Sequence, residues 1–236
     1  MKWGLHEDAG FVVQGWLATD DVQRLDTQWN SVVALDSVVI ANVAGEKVGT
    51  WLKRACERWQ LQPVWAEGQR QQCGVSNTYD DPKQLGPDRW AALIGARALL
   101  PANCVVVCMG TATTIDALTE DGTFLGGIIL PGVDMMHASL ANQTARLGTG
   151  RGGVVRFPRS TRDAITTGAV RATCGAIEYL RNMMQQAGYD NVAVVATGGA
   201  AQVFSSACGY PIVLNETLVL KGLVLIGEEA MRQLGA

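Results

Sequence analysis

The sequence predicts an α/β protein built as two related lobes, with strands and helices alternating in two successive halves, 1–98 and 99–236. Two observations carry this prediction. Apolar runs of strand length alternate with stretches of helical spacing along the whole chain. One stretch, 104–132, reads CVVVCMGTATTIDALTEDGTFLGGIILPG, three strands in succession. With 236 residues, 48% of them hydrophobic, the chain has enough apolar material for one large core or two small ones.

Taken in order, residues 1–5 and 11–17 read as a hairpin around a polar turn ending in Gly10. Residues 19–30 read as a short polar helix with Thr19 or Asp20 as its cap. A buried strand is expected at 37–43. Val48, Trp51, Leu52, Ala55 and Trp59 then recur at helical spacing over 46–59. A short strand at 63–66 precedes 69–78, which is polar and irregular and is expected to be a loop. Pro82 suits the first turn of a helix. Gly86-Pro87 interrupts it, and a longer helix runs from Asp88 through Ala98 with Trp90, Leu93 and Ile94 on its apolar side. An aspartate in this place is commonly a helix cap, and Asp88-Arg89 a surface charge pair.

The central stretch opens with the apolar run Val105 to Cys108, as a buried strand does. It breaks at Met109-Gly110 into Thr111-Ala112-Thr113-Thr114. A second strand covers 115–118, Glu120-Asp121-Gly122 turns the chain, and a third strand covers 124–130. A strand followed by a glycine-threonine turn can hold a phosphate: backbone N–H groups and hydroxyls converge, and glycine lets an anion come close. The plainer reading is a threonine-rich turn of any α/β protein. Beyond it, 133–145 reads as a helix carrying His137, to which no role is assigned, and 148–155 is glycine-rich. A long helix is expected over 162–187, capped by Thr161 or Ser160. Its small residues Ala164, Gly168, Ala172, Gly175 and Ala176 suit close helix packing across a dimer. A strand at 191–196, a Thr197-Gly198-Gly199 turn into a helix, a short strand at 211–214 and a last helix over 216–234, capped by Asn215, complete the chain.

A net charge of −3 and a charged fraction of 17% do not fit an electrostatic nucleic-acid binder. The six cysteines show neither CxxC pairs nor zinc spacing and are expected to be reduced thiols. No signal peptide and no run of membrane-span length is present, which predicts a cytoplasmic protein without a membrane partner.

The run GTATTID, then GG-I-I-L-P-G, then Leu140 and Thr144-Ala145-Arg146-Leu147, strongly resembles the type III pantothenate kinases, also called the Bvg accessory factor family. The resemblance extends from about Lys2 to the C-terminus. It implies two lobes of the actin-like ATPase (ribonuclease H-like) type with a cleft between them. It also implies ATP-dependent phosphorylation of pantothenate to 4′-phosphopantothenate, at the start of coenzyme A synthesis, by a homodimer.

Carried over residue by residue, the resemblance places Tyr79, Gly86, Pro87, Asp88, Arg89 and Thr161 at the pantothenate site, with Asp88 as proton acceptor. Lys2, Gly110 and Thr111 fall at the ATP site, where a divalent cation such as magnesium accompanies the phosphates. Pro87 departs from the family's usual small residue. Cys108 stands where the family has an aspartate ligand for a monovalent cation, potassium or ammonium. A thiol is a poor ligand for a hard cation, so no metal ligand is assigned. Asp116, the nearest carboxylate, reads equally as a residue on the solvent side of its strand. The family's first strand, carrying D-x-G-N-T/S ahead of the lysine, is not found in this sequence, which predicts a poor kinase unless the chain is extended upstream. Two other classes fit the same residues: a non-catalytic nucleotide-binding accessory or regulatory protein, and a kinase of another small alcohol.

Overall fold

The computed structural model describes residues 1–8, 10–29, 32, 34–143 and 150–235, without the side chains of 141–143. Thr144-Ala145-Arg146-Leu147 of the family motif lie outside the described residues. The chain forms two compact units: Met1–Gly74, Tyr79–Gly95 and Leu218–Ala236 make the first, and Val75–Thr78 with Ala96–Thr217 the second. The division therefore differs from a split into halves at 98/99, because the C-terminal helix returns to the first unit.

In the first unit, β1 (Lys2–Glu7) and β2 (Gly10–Trp16) form the expected antiparallel hairpin, with Lys2 opposite Trp16. The expected helix at 19–30 is weaker than its polarity pattern promised. A 3-10 turn (Thr19–Arg24) leads into one turn of helix, α1 (Leu25–Gln28), and no side chain caps either. Next, β3 (Val39–Ile40) runs parallel to β4 (Val64–Trp65), joined through α2 (Glu46–Glu57), a β-α-β unit. Leu17, Val22, Leu25 and Leu52 form the core here, with Trp3, Trp29, Trp51 and Trp65 packed around them.

Residues 69–78 are not a loop. They contain β5 (Gln71–Gln72) and β6 (Val75–Asn77), joined by a Cys73-Gly74 turn in which both residues have positive φ, 48° and 76°. The strands were hidden because their residues are polar, so no hydrophobic alternation marks them. A 3-10 turn at Pro82–Gln84 is capped by Asp81 Oδ1, which accepts from the Lys83 N–H, and α3 (Pro87–Leu99) follows.

The second unit is organised on the central stretch. Here β7 (Cys104–Met109), β8 (Ala112–Leu118) and β9 (Thr123–Pro131) form an antiparallel meander, with the β8–β9 turn at the expected Gly122. β6 adds to β9 in parallel. After α4 (Val133–Gln143) and α5 (Thr161–Gln186) come β10 (Ala193–Thr197), α6 (Ala201–Ala207) and β11 (Val213–Leu214). The strand order within this unit is β11-β10-β7-β8-β9-β6. Val105, Val107, Ile115 and Ala117 share one core with Val170 and Ile177 of α5 and Phe204 of α6. These side chains alternate along β7 and β8, as a sheet with one face on helices requires.

Two expectations are corrected in this unit. Cys174 on α5 and Cys208, at the end of α6, form a disulfide, so the six cysteines are not all thiols; Cys56, Cys73, Cys104 and Cys108 remain outside it. The two partners are 34 residues apart in sequence, with Cα atoms 5.7 Å apart, a juxtaposition made by packing that no spacing rule contains. Asp116 is completely buried rather than on the solvent side: Ile115 and Ala117 face the helices, and the opposite face of β8, which carries Asp116, is covered as well, with Thr114 and Leu118 also buried on it.

The last helix, α7 (Leu218–Leu234), belongs to the first unit. Asn215 sits ahead of it and accepts from the Thr217 N–H and hydroxyl. Leu220 lies against Gly4 of β1, and Gly227 against Val39 of β3, so α7 covers strands of both small sheets. It meets α3 at backbone distance: a Cβ on Gly222 would fall 1.8 Å from the Ala91 carbonyl oxygen. Among the described residues, no helix is long and apolar enough to cross a membrane.

Candidate active site

The first group of expected site residues gathers at the start of α3. The Gly86 carbonyl accepts the first helical bond, from the Trp90 N–H at 2.9 Å, so Gly86 occupies the cap position and Pro87 the first helical one. Proline loses nothing there, since that N–H has no helical partner, and its fixed φ suits the helix. Asp88 is therefore not the cap. Its Oδ1 accepts from the Arg89 N–H at 2.9 Å, which anchors the carboxylate within the first turn while the side chain stays half-exposed. A Cβ on Gly86 would come within 2.9 Å of Asp88 Oδ1, so glycine leaves this carboxylate room.

Arg89 is 5% exposed. Its Nη1 donates to the Tyr79 hydroxyl at 3.3 Å, and its guanidinium carbon lies 5.8 Å from the Tyr79 ring centre. A buried guanidinium stays charged at any accessible pH and keeps its planar fork of donors. Tyr79, Asp88 and Arg89 thus form one constellation: an anchored carboxylate, a fixed cation and a phenol. Lys2 belongs to the same unit, exposed on β1.

The second group lies on the β7–β8 turn. Gly110 donates its N–H to the Ala112 carbonyl at 3.0 Å, and the Gly132 N–H reaches the Thr111 carbonyl at 2.8 Å. Gly110 and Thr111 are exposed. The turn is gripped by backbone on two sides: a Cβ on Gly132 would lie 2.3 Å from the Gly110 carbonyl oxygen, and one on Gly198 2.2 Å from that of Met109. Gly198, at φ +105°, is the middle of the Thr197-Gly198-Gly199 turn, which therefore packs backbone to backbone against the end of β7. The expected convergence of three threonine hydroxyls does not hold. Thr113 and Thr114 are buried on successive strand positions and so face opposite sides of the sheet. Only Thr111 is accessible.

Cys108 sits opposite Thr114 in the strand register, half-buried. Thr114 Oγ1 is buried with no hydrogen-bond partner among the described residues. One neutral oxygen beside a thiol does not make the oxygen shell a potassium ion needs, so these residues do not fit a monovalent cation. Among the described residues, no group of three or more His, Cys, Asp or Glu could hold a metal.

Thr161 opens α5, exposed. The cap is Ser160, whose Oγ accepts from the Asp163 N–H and donates to Asp163 Oδ2 at 2.7 Å, so the capping role falls to Ser160 and not to Thr161. Asp163 is held below the usual carboxylate range by the Ser160 hydroxyl and then by the Gly153 N–H. The described part of the glycine-rich stretch is tied along α5: Gly152 N–H donates to Thr166 Oγ1 and Val155 N–H to Thr167 Oγ1.

A sequence profile of type III pantothenate kinases matches residues 1–183. A type III pantothenate kinase of Aromatoleum aromaticum is 42% identical over 229 residues, covering 97% of this chain and 94% of the relative. One of Nitrosospira multiformis is 38% identical, covering 97% and 87%. The chain belongs to the type III pantothenate kinase family. Its fold is that of the actin-like ATPases. A Baf family protein of Campylobacter jejuni superposes with a TM-score of 0.59 at 23% identity, over 88% of this chain and 89% of the other. A protein of Sinorhizobium meliloti described as a putative 2-dehydro-3-deoxygalactonokinase gives 0.58 at 15%, over 97% and 95%. At such identities the likeness concerns the fold alone.

The family motif's Tyr79, Gly86, Pro87, Asp88 and Arg89 come together in the first unit. Gly110 and Thr111 come together in the second, and Thr161 stands at the head of α5 in that same unit. Sequence reading missed the supports of the first group, Gly68, Arg70 and Gln72. Their only trace was an alternation of polar residues, which no hydrophobic pattern reveals.

Proposed function

We propose that the chain performs the reaction of its family, ATP-dependent phosphorylation of pantothenate to 4′-phosphopantothenate, with Asp88 as the general base. A primary hydroxyl is a weak nucleophile, and a positioned carboxylate that accepts its proton lowers the barrier. The observation that carries this reading is the anchoring of Asp88 next to Arg89, whose buried guanidinium holds the half-buried Tyr79 hydroxyl. Arg89 and Tyr79, with Gly86, Pro87 and Thr161, bind pantothenate: the guanidinium answers the substrate's carboxylate or amide oxygens, or buttresses the phosphate.

Gly110, Thr111 and Lys2 hold ATP. Glycine at an exposed turn lets phosphates come close to the backbone, and the Thr111 hydroxyl and Lys2 ammonium supply donors. In phosphoryl transfer, positioning and electrostatics supply nearly all of the catalysis, and magnesium bound to the phosphates spreads their charge. The enzyme works in the cytoplasm as a homodimer. Support for the dimer comes from α5, where Ala164, Gly168, Ala172 and Gly175 are exposed together with Tyr179 and Met183.

The test is ADP formation by the purified chain with magnesium, ATP and a panel of small alcohols. Pantothenate gives the highest kcat/KM, and the product carries one phosphate on its primary hydroxyl by mass spectrometry. A higher kcat/KM for another acceptor would move the assignment to that alcohol. ATP binding without turnover on any acceptor would leave a nucleotide-binding accessory protein.

A further inference from the structure

The segment that carries Tyr79, Asp88 and Arg89 is held from one side by a single short stretch, Gly68 to Gln72. Arg70 Nη1 donates to the Tyr79 carbonyl at 2.9 Å and Nη2 to the Asp80 carbonyl at 3.0 Å. Two positions earlier, a Cβ on Gly68 would fall 2.2 Å from the Pro82 carbonyl oxygen and 2.8 Å from that of Leu85, so the two backbones lie in contact. Two positions later, Gln72 Oε1 accepts from Trp90 Nε1 at 2.9 Å in a buried bond. Gly68, Arg70 and Gln72 meet the site segment in turn, with Arg70 at a bend just ahead of β5. They grip the site segment at its start, at its middle turn and in the first turn of α3.

We propose that Arg70 is a positioning residue for pantothenate, acting through Tyr79; this rests on the reading of Tyr79 as a substrate contact. The two bonds form a planar fork on consecutive carbonyls, a geometry that guanidinium supplies and an ammonium does not. They fix the backbone from which the Tyr79 side chain leaves. The Arg89–Tyr79 hydroxyl bond fixes the other end of that side chain. With both ends held, the phenol is preorganised, and its contact with substrate costs little ordering on binding. Without the fork, residues 79 and 80 keep two carbonyls that water can satisfy, so the chain still folds while the ring's place is no longer set. The expected signature is a loss in pantothenate binding with little change toward ATP.

The experiment compares wild type, Arg70→Gln, Arg70→Lys, Tyr79→Ala and the Arg70→Gln/Tyr79→Ala double variant. KM for pantothenate, KM for ATP and kcat are measured for each, with thermal midpoints. Arg70→Gln is expected to raise the pantothenate KM by about tenfold, in keeping with lost bonds from a charged donor, and the ATP KM by less than about twofold. Arg70→Lys restores part of the loss. In the Tyr79→Ala background Arg70→Gln adds little, since the residue it acts through is gone. Fully multiplicative effects in the double variant, or equal rises in both KM values, overturn the proposal. An unchanged pantothenate KM in Tyr79→Ala overturns the reading of Tyr79 as a substrate contact, and with it this proposal. A raised one in Tyr79→Ala with none in Arg70→Gln overturns the positioning role alone. If Arg70→Gln melts too low to assay, Arg70→Lys carries the same KM split and decides.

Discussion

The side chain at position 108 decides what is expected of monovalent cations. The Cys108 thiol offers sulfur where a hard monovalent cation needs oxygen, and the neighbouring Thr114 hydroxyl does not complete a shell. Turnover is therefore expected to change little between sodium and potassium buffers of equal ionic strength, and Cys108→Asp to introduce activation by potassium or ammonium. Steep potassium activation of the unmodified chain would contradict this. Two other thiols, buried Cys104 and half-buried Cys73, are chemically quiet. Burial pushes Cys104 up to about 12, and burial with the Glu229 carboxylate pushes Cys73 up to about 11, so both remain protonated near neutrality.

At the scale of elements, α5 shows how a local signal was legible to within one residue. Ser160-Thr161 announced a helix start, but only the hydrogen bonds to Asp163 decide that Ser160 caps and Thr161 does not. Ser160→Ala should lower stability by about 1 kcal/mol, read as a lower denaturant midpoint with unchanged slope, and it should spare the ATP KM. An unchanged midpoint would mean that the Ser160 cap contributes nothing. The meander β7–β8–β9 was legible because apolar runs, a glycine turn and alternation coincide there. The strands at 71–72 and 75–77 were not, since glutamine, serine and asparagine carry no hydrophobic period and the Cys73-Gly74 turn has no common turn sequence. The Cys174–Cys208 pair was hidden for a different reason: only the packing of α6 on α5 brings the two together. Of the site, the Tyr79 to Arg89 segment was readable through its family motif. Its supports, Gly68, Arg70 and Gln72, act through backbone carbonyls and one indole and leave no trace of this kind.

Across the whole molecule, all seven tryptophans, at 3, 16, 29, 51, 59, 65 and 90, fall within the first unit, which also holds the Tyr79–Arg89 group. Tryptophan emission therefore reports that unit alone. Pantothenate at about a hundred times its dissociation constant should stabilise the unit by about 2.7 kcal/mol, seen as a higher emission-detected midpoint; no rise would place its binding elsewhere. In the proposed reaction an anchored carboxylate at the head of α3 takes the proton from pantothenate. The measurement that tests it most directly is kcat of Asp88→Asn against wild type, with both substrates saturating and the tryptophan-detected midpoint checked for each. The expected result is a loss of about 10²–10⁴-fold with the midpoint and the ATP KM preserved. A variant that keeps wild-type kcat would show that Asp88 only holds the Arg89 N–H at the start of a helix.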